Sequence, residues 1–285
     1  MTLIDGKSIS AKVKEEIKSV ASNLAAKGVE PALAVILVGE DAASKTYVAS
    51  KEKACAACGI RSVAHRLSSD VSEAALLELI ENLNEDESID GILVQLPLPK
   101  HIDTNKILEK ISPQKDVDGF SAINVGKLTS GLSDGFVPCT PLGVMRLLEE
   151  YGVQIAGKNA VVLGRSNIVG KPMASLLLNA DATVTIAHSK TKDLKRICAD
   201  ADILVVAVGK AHFVGADMVK QGAVVIDVGI NRGEDGKLRG DVDFDAVAPK
   251  CSFITPVPGG VGPMTIAMLL SNTIKSAKNR LRQRA

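Results

Sequence analysis

A tyrosine and a lysine, Tyr47 and Lys51, stand four residues apart in a segment of helical composition, and Ser44 lies three residues before the tyrosine. This spacing places the three side chains on one face of a helix. A lysine that is partly removed from water loses some of its preference for the charged state and can exchange protons near neutral pH, while a tyrosine offers an apolar ring face and a hydroxyl. Taken alone, such a pair is more often an exposed helical face than a catalytic site.

Two further polar residues favour the catalytic interpretation. Gln95 ends the apolar run GILVQLPLP, at the strand edge where α/β proteins bind ligands, and an amide is unusual there as packing. Asp118 lies in the loop PQKDVDGF together with Asp116. Asp118 followed by Gly119 is also a common turn sequence, so the loop by itself leaves both interpretations open. In combination these residues predict a site for proton transfer.

A second group of residues predicts a nucleotide site. The segment AVVLGRSNIVGKPMASLLL places Gly164, Ser166 and Gly170 between an apolar strand and a helix. Gly164 permits a tight turn, the small Ser166 allows the backbone to approach a phosphate, and Gly170 opens a helix whose first amides favour anions. The spacing departs from G-x-G-x-x-G, but the strand, turn and helix context is the one that the motif requires. Nucleotide binding is therefore favoured over a plain βα turn.

The end of the next strand indicates which dinucleotide is bound. A ribose with a free 2′-hydroxyl is usually held by Asp or Glu about 20 residues after the glycine turn, whereas a 2′-phosphate requires a cation and hydroxyl donors. The strand TVTIA ends in His188, Ser189 and Lys190, without a carboxylate, and Arg165 in the turn can donate two hydrogen bonds to a phosphate. These residues favour NADP over NAD. The alternative is that Arg165 and Ser189 only cap exposed ends.

The stretch TPVPGGVGPMT concentrates three prolines and three glycines. Prolines stiffen it and glycines allow backbone conformations closed to other residues, so Pro258, Gly259 and Gly260 could press a rigid loop against a flat ligand. A metal is not expected, because the four histidines have no zinc-ligand spacing and the D-x-D pattern lacks the glutamate of a calcium loop.

Short apolar runs alternate with amphipathic segments, which predicts parallel βαβ units. We expect helices over residues 7–27, 42–58, 72–83, 141–151 and about 263–277. We expect strands over residues 32–38, 61–66, 91–96, 160–163, 183–187, 203–206 and 224–228. Residues 112–140 are expected to be mainly loop, and the basic end KNRLRQRA to be a solvated, fraying terminus.

These elements predict an α/β fold with two α/β domains flanking a cleft. Residues 1–140 form the first domain, and residues 141–262 form a Rossmann-type dinucleotide-binding domain. Periodicity does not decide where the last helix packs; we expect residues 263–285 to return to the first domain. The cleft between the domains is the expected site.

Composition excludes several classes of protein. Across 285 residues, 34 Lys+Arg against 33 Asp+Glu leave a net charge of +1, and aromatic residues make up 2%, so the sequence lacks the charge and stacking surfaces of nucleic-acid binders. Its apolar runs are far shorter than the ~20 residues that span a bilayer, and its first residues lack a signal-peptide apolar stretch. Five scattered cysteines, including Cys55-x-x-Cys58, are expected to be reduced structural thiols of a cytoplasmic protein.

Seven motifs resemble, in order, those of the bifunctional methylenetetrahydrofolate dehydrogenase/methenyltetrahydrofolate cyclohydrolase family. They are SKTYVASKEKAC, DGILVQLPLP, KDVDGF, PCTPLGV, GRSNIVGKP, DVGIN and TPVPGGVGPMT, and they run from Ser44 to Thr265. The resemblance implies a cytoplasmic homodimer whose first domain binds folate and carries the catalytic residues. It implies NADP-dependent oxidation of 5,10-methylenetetrahydrofolate to the methenyl compound, followed by hydrolysis to 10-formyltetrahydrofolate in one-carbon and purine metabolism.

The same resemblance implies roles for individual residues. Lys51 matches the catalytic lysine, Gln95 its partner, Tyr47 the ring that stacks on folate, and Asp118 the anchor of the pterin. The implied cofactor-binding residues are Gly164, Arg165, Ser166, Ile168, Ser189 and Ile230. The implied substrate-binding residues are Tyr47, Ser44, Asp118, Pro258, Gly259 and Gly260.

Two other functions are less consistent with the sequence. Tyr47-x-x-x-Lys51 matches the dyad of short-chain dehydrogenases, but in that family the glycine turn precedes the dyad, whereas Gly164 follows it here. A nucleotide-sensing regulatory protein would not need Gln95 and Asp118 in addition to the dyad.

Overall fold

The computed structural model describes residues 1–284, in which helices and strands alternate along the chain. The strands are β1 (Thr2–Leu3), β2 (Ala32–Val38), β3 (Arg61–Leu67), β4 (Gly91–Val94), β5 (Asn159–Leu163), β6 (Thr183–Ala187), β7 (Ile203–Val206), β8 (Val224–Asp227), β9 (Asn231–Arg232), β10 (Leu238–Arg239) and β11 (Phe253–Ile254). The helices are α1 (Gly6–Ala25), α2 (Ala42–Ala57), α3 (Glu73–Glu85), α4 (Thr104–Lys110), α5 (Ala122–Thr129), α6 (Cys139–Glu150), α7 (Gly170–Asn179), α8 (Leu194–Ala199), α9 (Phe244–Val247) and α10 (Val261–Arg284).

The chain folds into two compact units. The six-stranded unit comprises residues 1–11 and 140–265, and the three-stranded unit comprises residues 12–139 with the chain from Ile266 onward. The predicted fold class is confirmed: both units are α/β, and the last helix continues into the unit that holds most of the N-terminal half.

Parallel strands form the sheet of the six-stranded unit in the order β1-β11-β8-β7-β5-β6. β5 has β6 on one side and β7 on the other, so the strand order reverses at β5, as in a doubly wound Rossmann sheet. Every residue of β7 and β8 is buried. This burial explains why these strands are nearly continuous aliphatic runs without polar alternation.

The three-stranded unit contains a parallel sheet in the order β3-β2-β4. The central strand β2 is buried over all seven residues, which accounts for its uninterrupted apolar sequence ALAVILV. Helix α3 begins at the N-cap Ser72, whose hydroxyl accepts from the Ala75 amide at 3.2 Å. Its buried residues Leu76, Ile80 and Leu83 recur at spacings of four and three, so one face of the helix packs onto the sheet core.

Both chain ends differ from the sequence-based prediction. Residues 1–11 belong to the six-stranded unit and not to the first predicted domain, because β1 adds to the edge of its sheet beside β11. Helix α10 does not end near residue 277 but continues through Arg284. Lys278, Arg282 and Gln283 are exposed, which agrees with a solvated end, and fraying stays a prediction. Arg280 in this last stretch is only partly exposed and donates two hydrogen bonds to the buried Asp90, from Nε at 2.8 Å and from Nη2 at 2.9 Å.

Helix α5 lies in the stretch predicted to be mainly loop. It begins at the N-cap Ser121, whose hydroxyl accepts from the Asn124 amide, and it buries only Asn124 and Leu128. The helix is only eight residues long and contains Gly126, and the glycines of this stretch favoured a loop interpretation.

All five cysteines are buried and free. Within residues 1–284, no helix combines the length and apolar character needed to cross a bilayer. The same residues contain no group of three His, Cys, Asp or Glu side chains that could hold a metal ion.

Candidate functional site

Helix α2 carries three of the predicted site residues on one face. Its N-cap is Asp41, whose Oδ2 accepts from the Ser44 amide at 2.8 Å, and hydrogen bonds from Ser44 hold the pKa of Asp41 below its usual value. Ser44 is buried, Lys51 is partly buried, and 48% of Tyr47 is exposed. The structure thus assigns Ser44 to the helix cap, while the accessible tyrosine ring has room for a flat ligand.

The structure brings Lys51 and Gln95 together. Gln95 directly follows β4, and its amide donates to the Ile36 carbonyl of β2 at 2.8 Å, so its backbone extends the sheet by one residue. Lys51 Nζ donates to Gln95 Oε1 at 2.9 Å. Gln95 Nε2 donates to the Leu96 carbonyl at 2.7 Å, which orients the amide with its oxygen toward the lysine.

Burial and charge act in opposite directions on this lysine. Burial lowers the pKa of Lys51, and the nearby carboxylate of Asp118 partly opposes that shift. Burial likewise raises the pKa of Asp118, against the attraction of Lys51. The lysine is therefore easier to deprotonate than a lysine in water, while it keeps a carboxylate nearby that can stabilise its charged form.

The loop that holds Asp118 is attached to the edge of β4. The Ile92 amide donates to the Lys115 carbonyl at 2.8 Å, and Val117 packs where a side chain on Gly91 would lie. Gly119, with φ of +72°, turns the chain directly after Asp118, and a Cβ atom there would lie 2.8 Å from the Pro138 nitrogen. Only glycine fits this turn without strain.

Asp116, which the sequence placed beside Asp118, has a different function. Its buried carboxylate accepts from the amides of Gly119 at 3.0 Å, Phe120 at 3.2 Å and Ser121 at 2.8 Å. It also accepts from Asn124 Nδ2 at 2.9 Å. Asp116 therefore organises the loop from within, and Asp118 is left as the carboxylate near Lys51.

Two residues that the sequence analysis did not identify complete this site. Cys139 Sγ donates to Asp118 Oδ1 and to the Val117 carbonyl, each at 3.4 Å, and burial raises the pKa of this thiol well above its usual value. Asn272 of α10 donates from Nδ2 to the carbonyls of Val117 at 2.8 Å and Val137 at 3.0 Å. A buried asparagine in an apolar helix was the available signal for Asn272, whereas the motif PCTP gave Cys139 no separate role.

The glycine turn after β5 has the geometry that a dinucleotide requires. Gly164 has φ of +131°, and a Cβ atom there would lie 2.3 Å from the Ala207 carbonyl oxygen at the end of β7. A Cβ atom on Gly170 would lie 2.2 Å from the Gly164 carbonyl oxygen, so the start of α7 packs directly on the turn. The Ser166 hydroxyl accepts from the amides of Val169 at 3.1 Å and Gly170 at 3.3 Å. The turn is therefore as compact as the fingerprint requires, and the amides of Val169 and Gly170 bond to Ser166 within it.

Except for Ile230, which follows β8, the predicted cofactor residues lie in or beside this turn. Arg165, Ile168 and Ser189 are exposed. The Gly164 amide donates to the Ala187 carbonyl at 2.9 Å, so the turn lies beside the end of β6, and Ser189 follows two residues later. Ile230 is 47% exposed and its Cδ1 would lie 3.4 Å from a Cβ atom on Gly262.

The proline and glycine loop is held by the N-terminal segment of the same unit. A Cβ atom on Gly6 would lie 1.8 Å from the Gly260 carbonyl oxygen, and the Lys7 amide donates to the Gly259 carbonyl at 3.1 Å. Gly259 has φ of +107° and Gly260 is buried, while Pro258 is exposed. The positive φ of Gly259 explains that glycine, and a Cβ atom on Gly260 would lie 2.5 Å from the Pro256 carbonyl oxygen. Contact of these glycines with a ligand therefore stays a prediction, as do the predicted substrate role of Ser44 and the cleft between the domains.

Comparison with known proteins identifies similar chains over nearly the whole length. The family model for the catalytic domain of tetrahydrofolate dehydrogenase/cyclohydrolase matches residues 4–118, and the model for its NAD(P)-binding domain matches residues 138–281. The bifunctional protein FolD of Campylobacter hominis is 72% identical over 283 residues, which cover 99% of each chain.

Two solved structures are also similar. The bifunctional FolD dehydrogenase/cyclohydrolase of Campylobacter jejuni is 60% identical, with a TM-score of 0.97 over 98% of this chain and 99% of that one. The dehydrogenase-cyclohydrolase of Trypanosoma brucei, solved with NADP and an inhibitor, is 43% identical, with a TM-score of 0.94 over 100% of this chain and 99% of that one.

Proposed function

The chain belongs to the tetrahydrofolate dehydrogenase/cyclohydrolase family, and from that membership we infer that it is a bifunctional enzyme of folate metabolism. It oxidises 5,10-methylenetetrahydrofolate with NADP and hydrolyses the 5,10-methenyl product to 10-formyltetrahydrofolate. The observation that carries the proposal for individual residues is the contact of Lys51 Nζ with Gln95 Oε1 at 2.9 Å, near the partly buried carboxylate of Asp118.

The dehydrogenase step depends on positioning. When bound, NADP supplies the acceptor for the hydride that leaves the methylene carbon. The glycine turn fits a dinucleotide because a side chain at Gly164 or Gly170 would collide with backbone, and Arg165 and Ser189 would hold the 2′-phosphate. In the three-stranded unit, Tyr47 would support the folate ring and Asp118 would accept hydrogen bonds from the amino and ring N–H groups of the pterin. No acid or base is needed for this step.

The cyclohydrolase step needs proton transfer. A water molecule attacks the methenyl carbon and loses a proton, which gives a neutral hydroxyl adduct. The bond from that carbon to N5 then breaks as N5 gains a proton and the hydroxyl loses its own proton to solvent, which leaves the formyl group on N10 and releases one proton overall. We assign the transfer from water and the transfer to N5 to Lys51, because burial lowers its pKa and makes the neutral amine accessible. Gln95 would orient the amine, and Asp118 would stabilise the ammonium between the two transfers.

Substitution of Lys51 by methionine tests this assignment. Lys51→Met keeps the length of the side chain and removes the amine, so cyclohydrolase turnover of methenyltetrahydrofolate should fall by about 10²- to 10⁴-fold. Reduction of NADP should fall much less, because the hydride step does not use the amine. Both rates come from one spectrophotometric experiment that follows reduced cofactor and the methenyl species together.

Lys53→Met is the matched control, because Lys53 lies on the same helix and is exposed. It should leave both rates unchanged. Equal losses of the two activities in Lys51→Met would give the lysine a role in binding instead of proton transfer, and loss of neither would remove it from the mechanism.

We further propose that the enzyme is a cytoplasmic homodimer, as the family resemblance implies. Sedimentation equilibrium tests the dimer, since a single species at the monomer mass of 29.8 kDa over the micromolar range would contradict it. Fractionation of cells that express the tagged full chain tests the location.

A further inference from the structure

The most heavily bonded buried carboxylate in the six-stranded unit belongs to no predicted site. Asp241 is completely buried, and both of its oxygens accept hydrogen bonds. Oδ2 accepts from the amides of Val208 at 2.6 Å and Gly209 at 2.9 Å. Oδ1 accepts from the Lys210 amide at 2.9 Å and from Asn231 Nδ2 at 2.8 Å. Asp241 thus fixes three consecutive amides of one loop, which we call the 208–210 loop.

The position of the 208–210 loop in the sheet gives this contact a functional meaning. The loop follows β7, and β7 is the neighbour of β5 on the side where the strand order reverses. In doubly wound sheets the ligand binds in the crevice between the loops that leave these two strands. The glycine turn and the start of this loop are in direct contact, because a Cβ atom on Gly164 would collide with the Ala207 carbonyl. The 208–210 loop therefore lies beside the glycine turn, at the edge of the sheet where a dinucleotide would bind.

Asp241 also connects this loop to the segment that contains Ile230. Asn231, the next residue, donates to Asp241 Oδ1, and the Gly229 amide donates to Asp227 Oδ1 at 2.9 Å. Asp227 in turn accepts from the Asp241 amide at 3.0 Å. The two carboxylates hold both sides of Ile230 and the 208–210 loop in one network.

Two neighbouring glycines leave the space that these carboxylates occupy. A Cβ atom on Gly229 would lie 2.3 Å from Asp241 Cγ, and a Cβ atom on Gly240 would lie 1.8 Å from Asp227 Oδ2. A carboxylate that needed only solvation would not require backbone this close on two sides. Donors occupy both oxygens of Asp241, so these hydrogen bonds fix the orientation of its carboxylate.

We propose that Asp241 is a positioning residue for the dinucleotide, which shapes the crevice by holding the 208–210 loop and the Ile230 segment in their binding conformation. This inference rests on the proposed function, because it assumes that the crevice binds NADP. Asp241 itself contacts no cofactor; it acts through backbone amides whose direction it sets.

The test is Asp241→Asn in the full-length enzyme. The amide replaces one acceptor oxygen by a donor that faces two N–H groups, so the loop must move although the side chain keeps its size. We expect the Kd for NADP, measured by titration, to rise at least about tenfold, and hydrogen exchange at Val208, Gly209 and Lys210 to accelerate. Cyclohydrolase turnover of added methenyltetrahydrofolate, which needs no NADP, should stay within about twofold of the wild type.

Asp243→Asn is the matched control. Asp243 lies two residues later and caps α9 through the Ala246 amide, a function that asparagine preserves. It should change neither NADP binding nor exchange in the loop. Asn231→Ala, which removes one of the four donors to Asp241, should raise the Kd for NADP by a smaller factor and provides a second variant in case Asp241→Asn does not fold.

The outcomes separate the inference from the proposed function. Wild-type NADP affinity in both Asp241→Asn and Asn231→Ala would overturn the inference, and so would equal losses of NADP binding and cyclohydrolase turnover, since those would indicate general unfolding. A wild-type enzyme that neither binds NADP nor reduces it would instead contradict the proposed function.

Discussion

Replacing Gln95 with glutamate tests the electrostatic reasoning about Lys51 most directly. The Lys51 ammonium donates to Gln95 Oε1 at 2.9 Å, so Gln95→Glu puts a negative charge next to the amine with almost no change in shape. It also turns the donor that now bonds the Leu96 carbonyl into an acceptor. The new carboxylate therefore has no better partner than Lys51.

The size of the effect follows from this distance. The charge of a carboxylate is shared by two oxygens, so its centre lies farther from Lys51 Nζ than the 2.9 Å contact. Two unit charges about 4 Å apart interact by about 4 kcal/mol at the effective dielectric of a protein site, which corresponds to about 3 pKa units. Desolvation of the new carboxylate reduces this value, so we expect the pKa of Lys51 to rise by about 1 to 3 units. The neutral amine then becomes available only at higher pH.

The assay is the pH dependence of cyclohydrolase kcat with methenyltetrahydrofolate, after subtraction of the uncatalysed rate. In the wild-type enzyme kcat should rise as pH increases through the lowered pKa of Lys51. In Gln95→Glu the rising limb should move to higher pH by the same 1 to 3 units, and kcat at neutral pH should fall accordingly. Gln221→Glu, at an exposed position, adds the same charge and should leave the profile in place.

A rising limb that stays in place or moves to lower pH would refute the assignment of that limb to Lys51. A uniform loss of kcat at every pH would show that Gln95 acts by geometry alone.

Three further outcomes are expected. Gly119→Ala should lower the free energy of unfolding by about 2 to 4 kcal/mol because of its positive φ and the contact with Pro138, whereas Gly126→Ala, in an open helical position, should raise it by about 0.5 to 1 kcal/mol; urea unfolding of both variants checks this. Arg280→Met leaves the buried Asp90 without its cation and should cost about 3 to 5 kcal/mol in the same measurement. Arg165→Ala should raise the KM for NADP about tenfold or more with little change for NAD, and equal weakening of both would remove the phosphate contact.

The sequence predicted the elements that carry the chemistry because their signals are local. β2 is an unbroken apolar run, and its predicted bounds agree with the structure. The spacing of Ser44, Tyr47 and Lys51 identified one helical face without any knowledge of the fold. Gln95 could be recognised because a polar residue at the end of a buried strand needs a hydrogen-bonding partner or a function. In the structure its partner is Lys51, 44 residues earlier.

Residues whose partners are distant in the chain could not be predicted in this way. Asn272 bonds Val117 and Val137 across 155 and 135 residues, and Asp241 bonds Val208 across 33. Nothing in a window of ten or fifteen residues indicates such a pairing, and an isolated buried amide or carboxylate has the same local signature as a capping residue. Helix α5 was missed for a different reason, since it is short and lies in a stretch whose glycines are typical of a loop.

The two units hold their functional loops by the same physical means. Loops at the ends of strands expose backbone amides and bury few apolar atoms, so hydrophobic packing alone cannot define their conformation. In each unit one buried carboxylate instead accepts three amides of such a loop: Asp116 holds the turn behind Asp118, and Asp241 holds the 208–210 loop. A carboxylate suits this task because its two oxygens accept several bonds at once, and burial without those donors would cost several kcal/mol. The conformation of each loop is therefore set from the interior, and the side chains on the loop surface do not have to define it.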